Sequence, residues 1–207
     1  MEKLQLGVLA SGRGSNFEAI VKQIKRRKLD AEVRAVISNI ATAGVLEIAR
    51  KNNIPAFHVS KKQFPEQEHF DAELLKILLD HQVNFVVLAG YLKMLSPIIV
   101  RQFKNRILNI HPALLPSFGG HGMYGHHVHQ AVLDYGCKVS GVTVHLVDEA
   151  YDTGAPVMQR CVPVHEGDTA ETLASRVLKV EHQIYSEALQ LFAEGRVEIN
   201  GRCVKIK

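Results

Sequence analysis

Residues 4–10 form an apolar run that stops at Ser11-Gly12-Arg13-Gly14, the pattern of a buried strand entering a tight turn. A helix is expected over residues 17–28, opened by Ser15 and Glu18 as a reciprocal cap. A strand over 32–38, a helix over 43–53 and a short strand over 56–59 complete a βαβαβ unit, which calls for a parallel sheet and right-handed crossovers. Residues 67–81 place Phe70, Leu74, Leu75, Ile77 and Leu78 at helical spacing, whereas 84–89 is apolar throughout after Asn84, like a strand buried on both faces. Ser96-Pro97 opens a short helix to 103, and residues 106–110 return to the sheet.

Further along, residues 119–129 carry four glycines and four histidines and read as a mobile loop that leads into a helix over 128–134. Residues 139–147 alternate Val142, Val144 and Leu146 with Gly141, Thr143 and His145, which predicts a strand with one polar face, and 157–164 can pair with it as a hairpin. The longest helix spans 169–192, started by Asp168 or Thr169 and ended by Gly195. A terminal hairpin, 197–199 with 203–206, turns at Asn200-Gly201. The expected architecture is therefore α/β: a mostly parallel, twisted, Rossmann-like sheet with helices on both faces and an antiparallel C-terminal extension, in a single domain over residues 1–207.

A chain of 207 residues, 46% hydrophobic, can bury one core of this kind. The net charge of +4 suits an anionic ligand, but Lys22, Lys25, Arg26, Arg27 and Lys28 read as a solvated helix face, without the interleaved aromatics of a nucleic-acid surface. Cysteines at 137, 161 and 203 are odd in number and far apart, so neither a disulfide framework nor a zinc knuckle is written, and a reducing cytoplasm is the expectation. Residues 1–10 are too short for a secretory signal, and no run of 18 apolar residues suggests a membrane span.

Candidate chemistry centres on Asn109-Ile110-His111-Pro112-Ala113-Leu114-Leu115-Pro116, where polar side chains stand at the expected exit of a buried strand. Asn109 and His111 are two apart, so an extended backbone projects them from one face about 7 Å apart, an amide donor beside an imidazole, fit to hold an oxyanion and move a proton. A cap and a satisfied histidine would explain the same pair more simply. Gly12-Arg13-Gly14-Ser15-Asn16, between a strand and a helix, offers backbone N–H groups to an anion. A dinucleotide fingerprint would need glycine where Phe17 stands and an acid where the second strand ends in Ser38-Asn39, so a mononucleotide-like phosphate fits better than NAD. Asp152, in Tyr151-Asp152-Thr153-Gly154, fits a turn former as well as a functional carboxylate. His121, His126, His127 and His129 lack an accompanying cysteine or acid at ligand spacing, so a polar substrate loop is expected there and no metal.

The stretch from Asn109 to Pro116, followed by Val147-Asp148-Glu149-Ala150-Tyr151-Asp152-Thr153-Gly154, resembles the signature of the folate-dependent formyltransferases, and the likeness runs from Leu4 to Val197. The resemblance implies the formyltransferase fold and 10-formyltetrahydrofolate as co-substrate. It implies Asn109, His111 and Asp152 as the catalytic trio, with Asp152 keeping His111 oriented and raising its pKa. It also implies Gly14, Ser15 and Asn16 around a substrate phosphate, Glu181 on the ribose, and folate contacts from Gln67, Leu92, Lys93, Met94, Leu95, Asn109, Val147, Asp148, Glu149, Ala150 and Tyr151. The length and N-terminus are similar to the branch that formylates a glycinamide ribonucleotide in purine synthesis. The branches acting on methionyl-tRNA or hydrolysing the formyl donor would need a further domain, for which 207 residues leave no room. A sensor that kept the fold without the chemistry is the alternative of another class, and the intact trio argues against it. Small molecules are the expected partners, with no nucleic acid and no membrane; a homodimer is compatible with the sequence, which does not itself give the oligomeric state.

Overall fold

A computed structural model describes residues 3–207; Met1 and Glu2, at the head of the segment read for a signal, lie outside the described residues. The chain runs β1 (Leu4–Leu9), α1 (Ser15–Lys25), β2 (Ala31–Ser38), α2 (Gly44–Lys51), β3 (Ala56–His58), α3 (Gln67–Asp80), β4 (Phe85–Leu88), α4 (Pro97–Gln102) and β5 (Ile107–His111). It continues with α5 (His126–Asp134), β6 (Val139–Leu146), β7 (Pro156–Pro163), α6 (Ala170–Ala193) and the hairpin β8 (Val197–Asn200) and β9 (Cys203–Ile206). Seven strands form one sheet in the order β3-β2-β1-β4-β5-β6-β7. Pairing is parallel from β3 to β5 and antiparallel for β6 and β7.

Strand alternation divides the core into two layers. Leu6, Val8, Val87 and Leu108 face a cluster with Phe17, Leu46, Val132 and Leu189 of α1, α2, α5 and α6. Leu9, Ile37, Val86 and Ile107 face Leu74, Leu78 and Ile99 of α3 and α4. Helices therefore cover both faces, as a sheet of buried parallel strands requires. Tyr185 of α6 reaches the sheet at the end of β4 and the start of β5, its hydroxyl shared between the carbonyls of Leu88 (3.0 Å) and Leu108 (2.9 Å). Stranding those acceptors would cost about 1–3 kcal/mol.

Three local expectations differ from the structure. Helix α1 begins at Ser15, and its cap is Gly14 in the left-handed region (φ 86°) with no side-chain cap, so the Ser15–Glu18 box does not form. Glu18 instead pairs with Lys22 at 3.0 Å on the exposed face. The reciprocal cap occurs at α6, where Thr169 and Thr172 exchange side-chain and backbone bonds. Helix α5 starts at His126, two residues before the expected 128 and inside the segment read as loop. The expected polar face of β6 is buried: Thr143 accepts from the Leu115 N–H (3.0 Å) and donates to the Ala113 carbonyl (2.7 Å), so the loop after β5 folds across it.

Candidate active site

β1 and β4 are neighbours at the point where strand order reverses, the place where open α/β sheets leave a crevice beyond their carboxyl ends. Here the crevice is a cavity of about 840 Å³. The loops after β1 and β4 close its floor together: the Ser11 N–H donates to the Gly90 carbonyl (2.9 Å), and the Leu92 N–H donates to Ser11 Oγ (2.9 Å).

At one end stands the uncapped start of α1. Gly14 is required there twice over: its φ is positive, and a Cβ would lie 2.8 Å from the Val45 Cα of α2. With no side chain folded over its first turn, α1 presents open N–H groups and the positive end of its dipole to the cavity. Asn16 is buried beside them and donates from Nδ2 to Glu181 Oε2 of α6 at 2.6 Å, while its Oδ1 is buried with no partner among the described residues. Burial pushes the Glu181 carboxyl above the usual range, and the Asn16 bond offsets only part of that.

At the other end β5 runs one residue beyond the expected 106–110, through His111, and antiparallel register with β6 sets Asn109 opposite His145 and His111 opposite Thr143. Asn109 Nδ2 lies 3.1 Å from His145 Nε2. His145 Nδ1 is 2.8 Å from the Leu146 carbonyl, which only accepts, so Nδ1 carries a proton, and Nε2 faces both the Asn109 amide and Asp152. Asp152 returns to this cluster on a turn in the left-handed region (φ 55°). The turn is fixed by Gly154, where a Cβ would fall onto the Leu146 carbonyl. The carboxylate stands 3.6 Å from both His111 Nδ1 and His145 Nε2 and accepts from the Gly120 N–H at 2.9 Å. His111 Nε2 faces the Phe118 carbonyl at 2.8 Å. Both His111 nitrogens thus face acceptors, an arrangement the imidazolium satisfies best.

Burial nevertheless decides the resting titration. It holds the His111 imidazole below the ordinary histidine range, with the Asp152 carboxylate and the Phe118 carbonyl recovering only part of the difference. The expectation of a raised pKa from the carboxylate alone is therefore corrected: the side chain is 3% exposed as a residue, and desolvation outweighs one anion at 3.6 Å. Burial likewise pushes the Asp152 carboxyl up, but His145, the Gly120 N–H and His111 more than offset it, and the group stays below its usual range.

The wall between these ends carries Leu92, Lys93, Met94 and Leu95 after β4, and Val147, Asp148, Ala150 and Tyr151 after β6. Two expected contacts do not line it: Gln67 turns to Asp71 (2.8 Å), and Glu149 pairs with Arg101 (2.9 Å). His121, His126 and His129 of the glycine-rich segment do line it, and burial pulls the His129 imidazole down to about 4. Among the described residues no three His, Cys, Asp or Glu side chains converge as metal ligands. His145 is the member of the cluster that sequence reading passed over. Its signal was the polar half of the β6 alternation, which read only as one polar face of a strand.

Residues 4–189 match the family model described as formyl transferase. The chain belongs to the formyl transferase family. Among the relatives of this formyl transferase, a phosphoribosylglycinamide formyltransferase of Bacillus subtilis (strain 168) is 36% identical over 90% of the chain and 93% of the relative. The chloroplastic phosphoribosylglycinamide formyltransferase of Vigna unguiculata is 43% identical over 95% of this chain, which spans only 63% of that relative. Glycinamide ribonucleotide transformylase 1 from Symbiobacterium toebii superposes with a TM-score of 0.93 at 43% identity, over 99% of this chain and 94% of its own. No helix among the described residues is long and apolar enough to cross a membrane.

Proposed function

We propose that this formyl transferase moves the formyl group of 10-formyltetrahydrofolate to the amine of N1-(5-phospho-D-ribosyl)glycinamide, in the cytoplasm, as a step of purine synthesis. The products are the N-formyl ribonucleotide and tetrahydrofolate. The observation that carries the reading is one cavity with an uncapped helix start at one end and Asn109, His111 and Asp152 gathered at the other. The first end suits a phosphate, with Asn16 Oδ1 and Glu181 placed for sugar hydroxyls. The wall formed by residues 92–95 and by Val147, Asp148, Ala150 and Tyr151 receives the folate.

In this reading the glycinamide nitrogen forms a bond to the formyl carbon, and the carbonyl electrons move onto oxygen. Asn109 Nδ2 donates to that oxyanion, and His111, whose ring nitrogens face Asp152 and the Phe118 carbonyl, stabilises it through the charge of its imidazolium. His111 is depleted of its cation at rest, but the new negative charge, with Asp152 behind it, favours the imidazolium as the barrier is crossed. The proton lost by the attacking nitrogen passes to the folate nitrogen as its bond to carbon breaks, and the carbonyl re-forms. No protein nucleophile and no metal-bound water takes part.

Steady-state transfer from 10-formyltetrahydrofolate to the ribonucleotide, to methionyl-tRNA and to water tests the proposal. Transfer to the ribonucleotide should dominate. Faster release to water would make the chain a hydrolase of the same family.

A further inference from the structure

A sugar phosphate brings close to two negative charges into the α1 end of the cavity. Helix N–H groups supply about half a positive charge, and Glu181 is a buried acid on the same wall. Helix α6 offers no cation to this end: the side chains it turns to the cavity are Glu171, Ala174, Ser175, Leu178 and Glu181. Lys93 lies on the folate wall, and His126 is engaged with Glu171 at 3.0 Å.

Arg13 stands apart from this pattern. It lines the cavity next to Gly14, Ser15 and Asn16, and it is exposed. Its backbone is held tightly by α2, because Val45 donates to the Gly12 carbonyl (3.2 Å) and a Cβ at Gly44 would lie 3.0 Å from the Arg13 carbonyl oxygen. Two helix starts therefore meet at this loop, α1 through Ser15 and α2 through Gly44, neither with a side-chain cap. Arg34, Arg101, Arg160, Arg176 and Arg196 pair with acids, while the guanidinium of Arg13, like those of Arg26, Arg27 and Arg50, makes no ion pair or hydrogen bond among the described residues; of these four, Arg13 alone lines the cavity. The buried Asn16 Oδ1, an acceptor without a partner among the described residues, lies beside this loop and suits a sugar hydroxyl of the same ligand.

We infer that Arg13 is the charged clamp of the substrate phosphate, closing from the solvent side on an anion whose inner face is held by the α1 N–H groups and Ser15. The planar guanidinium can hold two phosphate oxygens at once, and it supplies the full charge that α6 withholds. Arg13 thereby sets the preference for the phosphorylated ribosylglycinamide over the unphosphorylated one. This inference rests on the proposed ribonucleotide reading.

The test compares Arg13→Gln, Arg13→Lys and Lys93→Gln by steady-state kinetics at several salt concentrations, with inorganic phosphate as a competing probe. Arg13→Gln should raise the KM for the ribonucleotide on the order of 10- to 100-fold, with a much smaller change in kcat and in the folate KM. It should also weaken inhibition by inorganic phosphate and flatten the salt dependence of the ribonucleotide KM, with Arg13→Lys intermediate. An unchanged ribonucleotide KM and salt slope in Arg13→Gln would overturn the inference, as would an equal effect from Lys93→Gln. If Ser15→Ala still raised the ribonucleotide KM in that event, the phosphate corner would stand and only the role of Arg13 would fall. If phosphate failed to compete even with the unaltered enzyme, the phosphate corner itself would be wrong.

Discussion

The two ends of the cavity are built by opposite means. The phosphate end comes from one contiguous stretch, Gly12 to Asn16, and most of its chemistry belongs to the backbone: a left-handed glycine, an uncapped helix start and a dipole. The catalytic end draws single side chains from three segments, Asn109 and His111 from β5, His145 from β6 and Asp152 from the returning turn. An anion is a generous ligand that any well-aimed N–H group can serve. A transition state is not, and its donors must be fixed to fractions of an ångström, which only register and close packing achieve.

That contrast predicts where damage appears. At the catalytic end, Asn109→Ala removes an oxyanion donor and His111→Ala the cation beside it, and each should lower kcat on the order of 10² to 10³, with both KM values changing far less. Asp152→Asn should lose a similar amount by a different route. Removing the carboxylate takes away the group that most favours the His111 cation, so its pKa should fall further below 6.5, and the alkaline fall of activity should move to lower pH. NMR titration of the imidazole in both proteins checks the sign; a rise in the variant would remove Asp152 from this role.

His145 sharpens the comparison, because it touches Asn109 and not the reacting atoms in this reading. His145→Ala should lower kcat on the order of 10-fold by releasing the Asn109 amide, and the loss should shrink when Asn109 is already alanine. Additive losses in that cycle would show that His145 acts on its own.

At the phosphate end the effects should be smaller and should fall on binding. Ser15→Ala should raise the ribonucleotide KM about 10-fold and leave the folate KM nearly unchanged. Substitution of Gly14 would confuse this test, since a side chain there strikes Val45. Glu181→Gln separates function from stability. The folded protein holds the Glu181 proton more tightly than the unfolded chain, so the carboxylate costs stability as pH rises through the ordinary value of 4.5 toward the raised one, and the full cost remains above it. The glutamine variant should therefore melt a few degrees higher near neutral pH, roughly 2–4 °C for each kcal/mol recovered, while binding the ribonucleotide less well. A lower melting temperature at neutral pH, with the advantage reversed in acid, would contradict that sign. Smallest of all, prolonged EDTA should leave the rate unchanged, because direct transfer uses no metal-bound water.

The sequence by itself determined whatever depends on neighbours along the chain. The largely apolar runs at 4–10 and 84–89 marked buried strands, and the helical spacing of Phe70, Leu74 and Leu78 marked α3. Gly12-Arg13-Gly14-Ser15 marked an anion-seeking turn, because a few adjacent residues suffice to bend a strand into a helix. Its cap was misjudged, since Ser15 and Glu18 had the right spacing for a box, but the close approach of Val45 dictates glycine and shifts the helix start. Tertiary structure alone decided what depends on register and burial. The polar residues of β6 faced inward because the loop after β5 closes over Thr143, and this made His145 part of the site. The sign of the His111 shift also lay beyond the sequence, which names the carboxylate but not the depth of burial. Desolvation is set by all the atoms packed around a group, and no local pattern of residues records it.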